Sequence, residues 1–247
     1  MPVTATLSTY SREKSVRSVP PTPGVRLTER KTFRKSRVWM IGIVSAVRLA
    51  GAPDRFGEGC AVPVLHHVCG IDELGDAPIA GAARVVSIIS PHAPVPVELR
   101  HLDSNLLVLR FDDVIDGDDE YQVATEADIV RLLAFDRDHA PDDALVIHCT
   151  AGISRSTAAL VLLLAQRRPG EEAEIFAELR AIRPKAWPNS RIIAIGDALL
   201  GREGKLVAAL REHYRAQALQ YPEVVPMMLA LQRQSELPID LVQRPKP

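Results

Sequence analysis

Aromatic residues are scarce: five Phe, four Tyr and two Trp among 247 residues. A surface that stacks the bases of single-stranded nucleic acid needs more of them, so no nucleic-acid partner is expected. Cysteine is scarce as well. Three Cys cannot build a disulfide framework, and an odd count leaves a free thiol, so a reducing, cytoplasmic setting is expected. Long apolar runs are also lacking. Val38 to Ala50, with Arg48 inside it, and Ala158 to Ala165 are the longest, and neither could cross a bilayer as a helix. The first does not read as a signal-peptide core either, because 37 residues precede it and Arg48 interrupts it.

Net charge is nearly absent, at −1, but this hides a split. Residues 1–37 hold nine basic and two acidic residues, a balance of +7, and the remainder holds 21 basic against 29 acidic, a balance of −8. The head is rich in Ser, Thr, Pro and Arg, and Pro20-Pro21-Thr22-Pro23-Gly24 would break any helix. It reads as a disordered basic head that is dispensable for catalysis, although Met40 is a second candidate start. Residues 38–63 form an apolar connector of unassigned structure.

What is present from residue 64 onward is alternation. Strands are expected at Val64 to Cys69, Arg84 to Ile89, Leu106 to Phe111 and Ala144 to Ile147. The last is nearly continuous in apolar residues, as a buried parallel strand should be. Thr125-Glu126-Ala127-Asp128 has the form of a capping box, with Ile129, Leu132, Leu133 and Phe135 giving the following helix an apolar face. Further helices are expected at Ser156 to Gln166, Glu171 to Ile182, Ser190 to Leu200 and Glu203 to Ala216, punctuated by Pro169-Gly170 and Pro188. The fold class is α/β, a central and mostly parallel sheet flanked by helices, over 64–216. Residues 217–247 read as a polar C-terminal tail with one helix near Met227 to Gln234.

The informative stretch is His148-Cys149-Thr150-Ala151-Gly152-Ile153-Ser154-Arg155-Ser156. A bare Cys-x5-Arg has about one chance in three of arising here at random; adding the His before it, the Gly three after it and the following hydroxyl takes that below about 10⁻³. The stretch falls between a buried strand and a helix. A six-residue loop there can aim successive backbone N–H groups inward, which makes an oxyanion site. Gly152 allows a conformation that a side chain resists. Arg155 adds a charged planar fork that grips two phosphate oxygens. The same donors favour the thiolate of Cys149. The expected phosphate-binding set is Thr150, Ala151, Gly152, Ile153, Ser154 and Arg155, with no metal and no cofactor.

This pattern resembles the signature loop of the cysteine-dependent protein tyrosine phosphatases, and its Ser154-Arg155-Ser156 form is most similar to the dual-specificity branch and its small bacterial relatives. The resemblance spans about Val64 to Ala216. It implies hydrolysis of phosphomonoesters on phosphotyrosine proteins, with phosphoserine and phosphothreonine as further substrates, through a phosphocysteine intermediate. It also implies a general acid on a loop about thirty residues before the nucleophile. In several relatives a strand ends in Phe-acid-Asp and the second acid protonates the leaving oxygen. Here Phe111-Asp112-Asp113 lies in that place, so the acid is assigned to Asp113, 36 residues before Cys149. Asp112 is the runner-up, and Asp116, Asp118 and Asp119 also fall near the spacing. The loop from Asp113 to Ala124 is longer than in compact relatives. The resemblance gives Ser156 a hydrogen bond to the thiolate, His148 a loop-orienting role, and Pro188-Asn189 a supporting turn.

Other readings stand beside this one: a catalytically silent phosphate-binding module, arsenate reduction and sulfur transfer. The absence of Lys among the loop side chains disfavours inositol lipids. Asp116 to Glu120 could select basic substrates. His66 and His67 are neighbours on a strand and point to opposite faces, a poor metal pair. Cys69 is a weak candidate for a protective disulfide with Cys149. Oligomeric state is not specified.

Overall fold

The structure, a computed structural model, describes residues 66–117, 120–140 and 143–242. The basic head, the apolar connector, Asp118 and Asp119 lie outside the described residues.

Four strands form one parallel sheet: β1 (His66–Gly70), β2 (Arg84–Ile89), β3 (Leu106–Arg110) and β4 (Leu145–Cys149), in the order β1-β4-β2-β3. Every residue of β2 and β4 is buried. That follows from their apolar, β-branched composition, which suits a strand covered on both faces. β4 runs two residues further than the apolar pattern predicts and takes in His148 and Cys149. Register accounts for this: Cys69 pairs with His148 and Gly70 with Cys149 on one side, and Ser87 pairs with His148 on the other.

The α-helices among the described residues are α1 (Glu126–Arg137), α2 (Arg155–Arg167), α3 (Glu172–Ile182), α4 (Ser190–Leu199), α5 (Lys205–Gln220), α6 (Val224–Ala230) and the short α7 (Ile239–Val242). Thr125 caps α1 with the anticipated capping box: Asp128 N–H donates to its Oγ1 at 3.3 Å, and its own N–H donates to Asp128 Oδ2 at 3.0 Å. α2 is the central helix. Ser156 through Ala165 are all buried, because α2 packs on the sheet and also contacts α1, α3 and α4. A helix apolar all round is one with no solvent face. Arg84, buried at the start of β2, is matched by Asp136 of α1, which also accepts from Arg167 Nε of α2 at 2.7 Å. A buried charge persists only with such a partner.

One expectation fails. Residues 217–242 are not a polar tail. α5 continues to Gln220, α6 follows, and Gln217, Ala218, Val224, Met228, Arg233, Glu236 and Leu237 are buried. Spaced Ala218, Val224 and Met228 supply an apolar face that the many Gln, Glu and Arg around them obscure in the sequence.

Candidate active site

The loop from Cys149 to Ser154 joins the end of β4 to the start of α2. Its shape is fixed from outside, through its carbonyls. Thr150 O accepts from Ile71 N at 3.1 Å, Ala151 O from Arg183 Nη2 at 3.2 Å, Gly152 O from Arg183 Nε at 3.1 Å, Ile153 O from Trp187 N at 2.9 Å, and Ser154 O from Asn189 N at 3.3 Å. Five successive carbonyls are thus held by the surrounding protein. In a trans peptide the N–H points opposite to the C=O. The N–H groups of Ala151, Gly152, Ile153, Ser154 and Arg155 are therefore turned to the inner side of the loop. This is the geometry of an anion-binding nest at a helix start. Gly152 has φ +67°, and a Cβ on it would meet the backbone of Cys69 and Gly70 at 2.4–2.6 Å.

Arg155 is buried, with Nη1 donating to Phe111 O at 2.7 Å and Nη2 to Thr150 Oγ1 at 2.8 Å. Its Nε is buried with no hydrogen-bond partner among the described residues. A buried unpaired donor on a cation is costly, and an anion in the loop would relieve that cost. Cys149 Sγ lies 3.2 Å from Ser156 Oγ. Burial pushes the Cys149 thiol up, and Asp113 opposes ionisation too. The Arg155 charge and the hydrogen bonds from the Ser156 hydroxyl and N–H outweigh both, and its pKa lies below the ordinary thiol value. His148 Nε2 lies 2.7 Å from Ser87 Oγ, and burial takes its pKa down to about 4. It is a neutral ring inside the sheet, pinned one residue before the loop.

Asp113 faces the loop. Its Oδ1 accepts from Ser154 Oγ at 2.7 Å, Asn189 Nδ2 at 3.1 Å and Arg233 Nη1 at 3.3 Å. Burial raises its pKa, but Arg233, Arg155 and the hydrogen bonds of Ser154 and Asn189 bring it below the ordinary carboxylate value. The other acids are placed elsewhere. Asp112 closes its own loop, with its N–H donating to Gln122 O at 2.7 Å and its Oδ2 accepting from Gln122 N at 3.1 Å. Asp116 is exposed. Ser154 contributes only its backbone to the inner side of the loop, because its hydroxyl is turned to Asp113.

Four residues were not read from the sequence. Arg183 braces the loop carbonyls and pairs with Glu73 at 2.9 Å, which in turn accepts from Gly70 N at 2.6 Å. Arg233 and Glu236 come from the stretch read as a tail. Asn189, flagged only as part of a turn, both caps α4 through Oδ1 and donates to Asp113. The one available signal was the Asn189-Ser190 start of α4; nothing local marked Arg233.

Cys69 and Cys149 belong to the hydrophobic clusters on opposite faces of the sheet, which follows from their one-residue offset in register. A disulfide between them does not fit. Among the described residues, no three His, Cys, Asp or Glu side chains gather in a metal-ligating group, and His66 Nδ1 lies 3.7 Å from Glu178. No described helix is long and apolar enough to cross a membrane.

No family model and no curated protein matches this chain. Solved structures do. A Cydia pomonella phosphatase, PTP-2, is 20% identical over 53% of this chain and 83% of its own, with a TM-score of 0.43. Human DUSP28 is 20% identical over 55% of this chain and 90% of its own, also at 0.43. PTPMT1, solved in complex with PI(5)P, is 15% identical over 55% of this chain and 88% of its own, at 0.41.

Proposed function

We propose that the protein is a metal-independent, cysteine-dependent phosphomonoester hydrolase acting on phosphotyrosine proteins, with phosphoserine and phosphothreonine as further substrates. The observation that carries this is the loop whose five carbonyls are all held from outside, with Cys149 at its start and Arg155 at its end. Such a loop turns its backbone N–H donors inward and its carbonyls away. The phosphate dianion is the ligand whose three terminal oxygens use them best.

In the reaction, the Cys149 thiolate attacks phosphorus. An S–P bond forms as the P–O bond to the leaving group breaks, and Asp113 gives its proton to the departing oxygen. Arg155 and the loop amides hold the equatorial oxygens. Asp113, now ionised, takes a proton from water, which attacks phosphorus and frees the thiolate with inorganic phosphate. Ser156 stabilises that thiolate by its hydrogen bond.

The low pKa of Asp113 in the free protein bears on this directly. A bound phosphate dianion offsets the charge of Arg155 and stands near Asp113 as a like charge, and both effects raise the carboxyl pKa. The acid is thus charged with a proton together with substrate, and the pH optimum lies on the acid side of neutral. The absence of Lys among Thr150, Ala151, Ile153 and Ser154 supports a singly phosphorylated substrate over a multiply charged inositol headgroup.

The test is hydrolysis of p-nitrophenyl phosphate in excess chelator. Activity is expected, abolished by Cys149→Ser and strongly reduced by Asp113→Asn. Undiminished turnover in the Cys149 variant would refute the covalent route. Tight phosphopeptide binding with no phosphate release by the wild type would make the protein a binding module.

A further inference from the structure

Arg233 is the side chain that the reaction above does not use and that burial makes hardest to ignore. Only 4% of its side chain is exposed. Its fork is divided between two carboxylates. Nε and Nη2 go to Glu236 at 2.7 and 2.9 Å, and Nη1 goes to Asp113 Oδ1 at 3.3 Å and Ser154 Oγ at 3.1 Å. Glu236 is itself fixed by Trp187 Nε1 and Ser190 N, both at 2.9 Å. Gln232, in the left-handed region at φ +57°, turns the chain back after α6, and Arg233 N donates to Met228 O at 2.9 Å. The arginine is therefore anchored at both its backbone and its far end.

We propose that Arg233 is the positioning residue of the general acid: it locks Asp113 through Oδ1 and so fixes Oδ2 as the oxygen that carries the catalytic proton. Oδ1 already accepts from three donors, Ser154, Asn189 and Arg233. A carboxyl oxygen crowded by three donors cannot also hold a proton. Oδ2 takes no part in these bonds. The inference rests on the phosphatase reading for its consequence, but its physical content, a charge holding a carboxylate, does not.

The charged and titratable groups facing Asp113 can be named element by element. Arg155 stands at the start of α2 and the Cys149 thiolate at the end of β4. Asn189 caps the start of α4 and donates to Asp113 Oδ1. Tyr214 lies on α5, and Arg233 and Glu236 follow α6. Of the two cations nearest, Arg155 is taken up by substrate during the reaction. Arg233 is not, so its charge acts on Asp113 in every state of the cycle. Removing it must raise the carboxyl pKa, because the ionised form loses a partner.

The experiment follows the Asp113 carboxyl carbon by NMR in the full chain labelled with 13C-aspartate, the signal being assigned with Asp113→Asn. Wild type titrates below the ordinary value. Arg233→Met is expected to move the midpoint upward by about one pH unit or more, and the basic limb of kcat/KM moves with it. Arg233→Lys keeps a charge but cannot reach Asp113, Ser154 and Glu236 together, so it gives a smaller upward move; this variant carries the test should the first not fold. A purely structural role would lower the melting temperature and leave the midpoint in place. An unmoved midpoint in either folded variant overturns the proposal. A midpoint that moves in the Arg233 variants, with no turnover of phosphate esters by the wild type, would sink the phosphatase reading alone.

Discussion

Replacing Gly152 with Ala tests the loop geometry on a scale that can be worked out beforehand. Two separate costs arise. A non-Gly residue at φ +67° loses roughly 1–2 kcal/mol to left-handed strain. The added Cβ would also stand 2.4 Å from Cys69 C and 2.5 Å from Gly70 N. These are backbone atoms, held in register against His148 and Cys149, so no rotamer change relieves the contact. Overpacking of that kind costs about 1–3 kcal/mol more. Together about 2–5 kcal/mol is lost, which at roughly 2–4 °C per kcal/mol for a domain of this size lowers Tm by about 4–20 °C. Two other glycines separate the two costs. Gly170 has φ +89° but nothing within 4 Å of a built Cβ, so Gly170→Ala carries the strain alone. Gly75 has neither, and Gly75→Ala should be close to neutral. Calorimetry on the three variants, with vanadate affinity measured alongside, gives the answer. Gly152→Ala should melt lowest and bind vanadate worst. A melting temperature no lower than that of Gly170→Ala would mean that the loop does not lie against β1, and the argument for its inward amides would fall with it.

Two further outcomes follow from the burial of titratable groups. Iodoacetate should modify Cys149 with a midpoint below the ordinary free thiol near ~8.5, while Cys69, whose thiol burial pushes up to about 12, stays unmodified in the folded protein. Peptide mass mapping checks both sites, Ser156→Ala should raise the Cys149 midpoint, and equal labelling of the two would contradict the assignment. Burial also holds His148 and His213 neutral, each with a pKa down to about 4 from an ordinary 6.5. Between those values the unfolded chain binds more protons than the folded one, so stability is lost as pH falls through the window, by up to about 1.4 kcal/mol per pH unit for each ring. Urea midpoints at pH 7, 6 and 5 should fall in that order; a flat series would show that both rings take up protons inside the fold.

The sheet and the loop were legible because they depend on local pattern. Arg84 to Ile89 is a β-branched run, Thr125 to Asp128 is a capping box, and Cys149 to Ser156 carries its chemistry in nine adjacent letters with His148. The choice of Asp113 over Asp112 as the proposed acid came from resemblance alone, since the two look alike in sequence; the bond from Gln122 N to Asp112 Oδ2 against that from Ser154 Oγ to Asp113 Oδ1 is a distinction of tertiary structure. Arg233 was illegible for a different reason. A basic residue among Gln, Ser and Glu looks like a solvated surface, whereas in the fold its side chain is buried against Glu236, Asp113 and Ser154. Loop bracing by Arg183 lay equally out of reach, because its partner Glu73 is 110 residues away.

The separation of Asp113 from Arg233, 120 residues, also has a consequence in time. During synthesis at about 5–20 residues per second, Asp113 and then the Cys149 loop leave the ribosome first. The side chain that clamps the acid follows Asp113 by about 6–24 s. Until then the acid lacks its third donor and its nearest permanent cation. The loop is braced by Arg183, Trp187 and Asn189, all of which emerge before Arg233, so during synthesis every partner of the loop carbonyls is available before the partner that clamps Asp113.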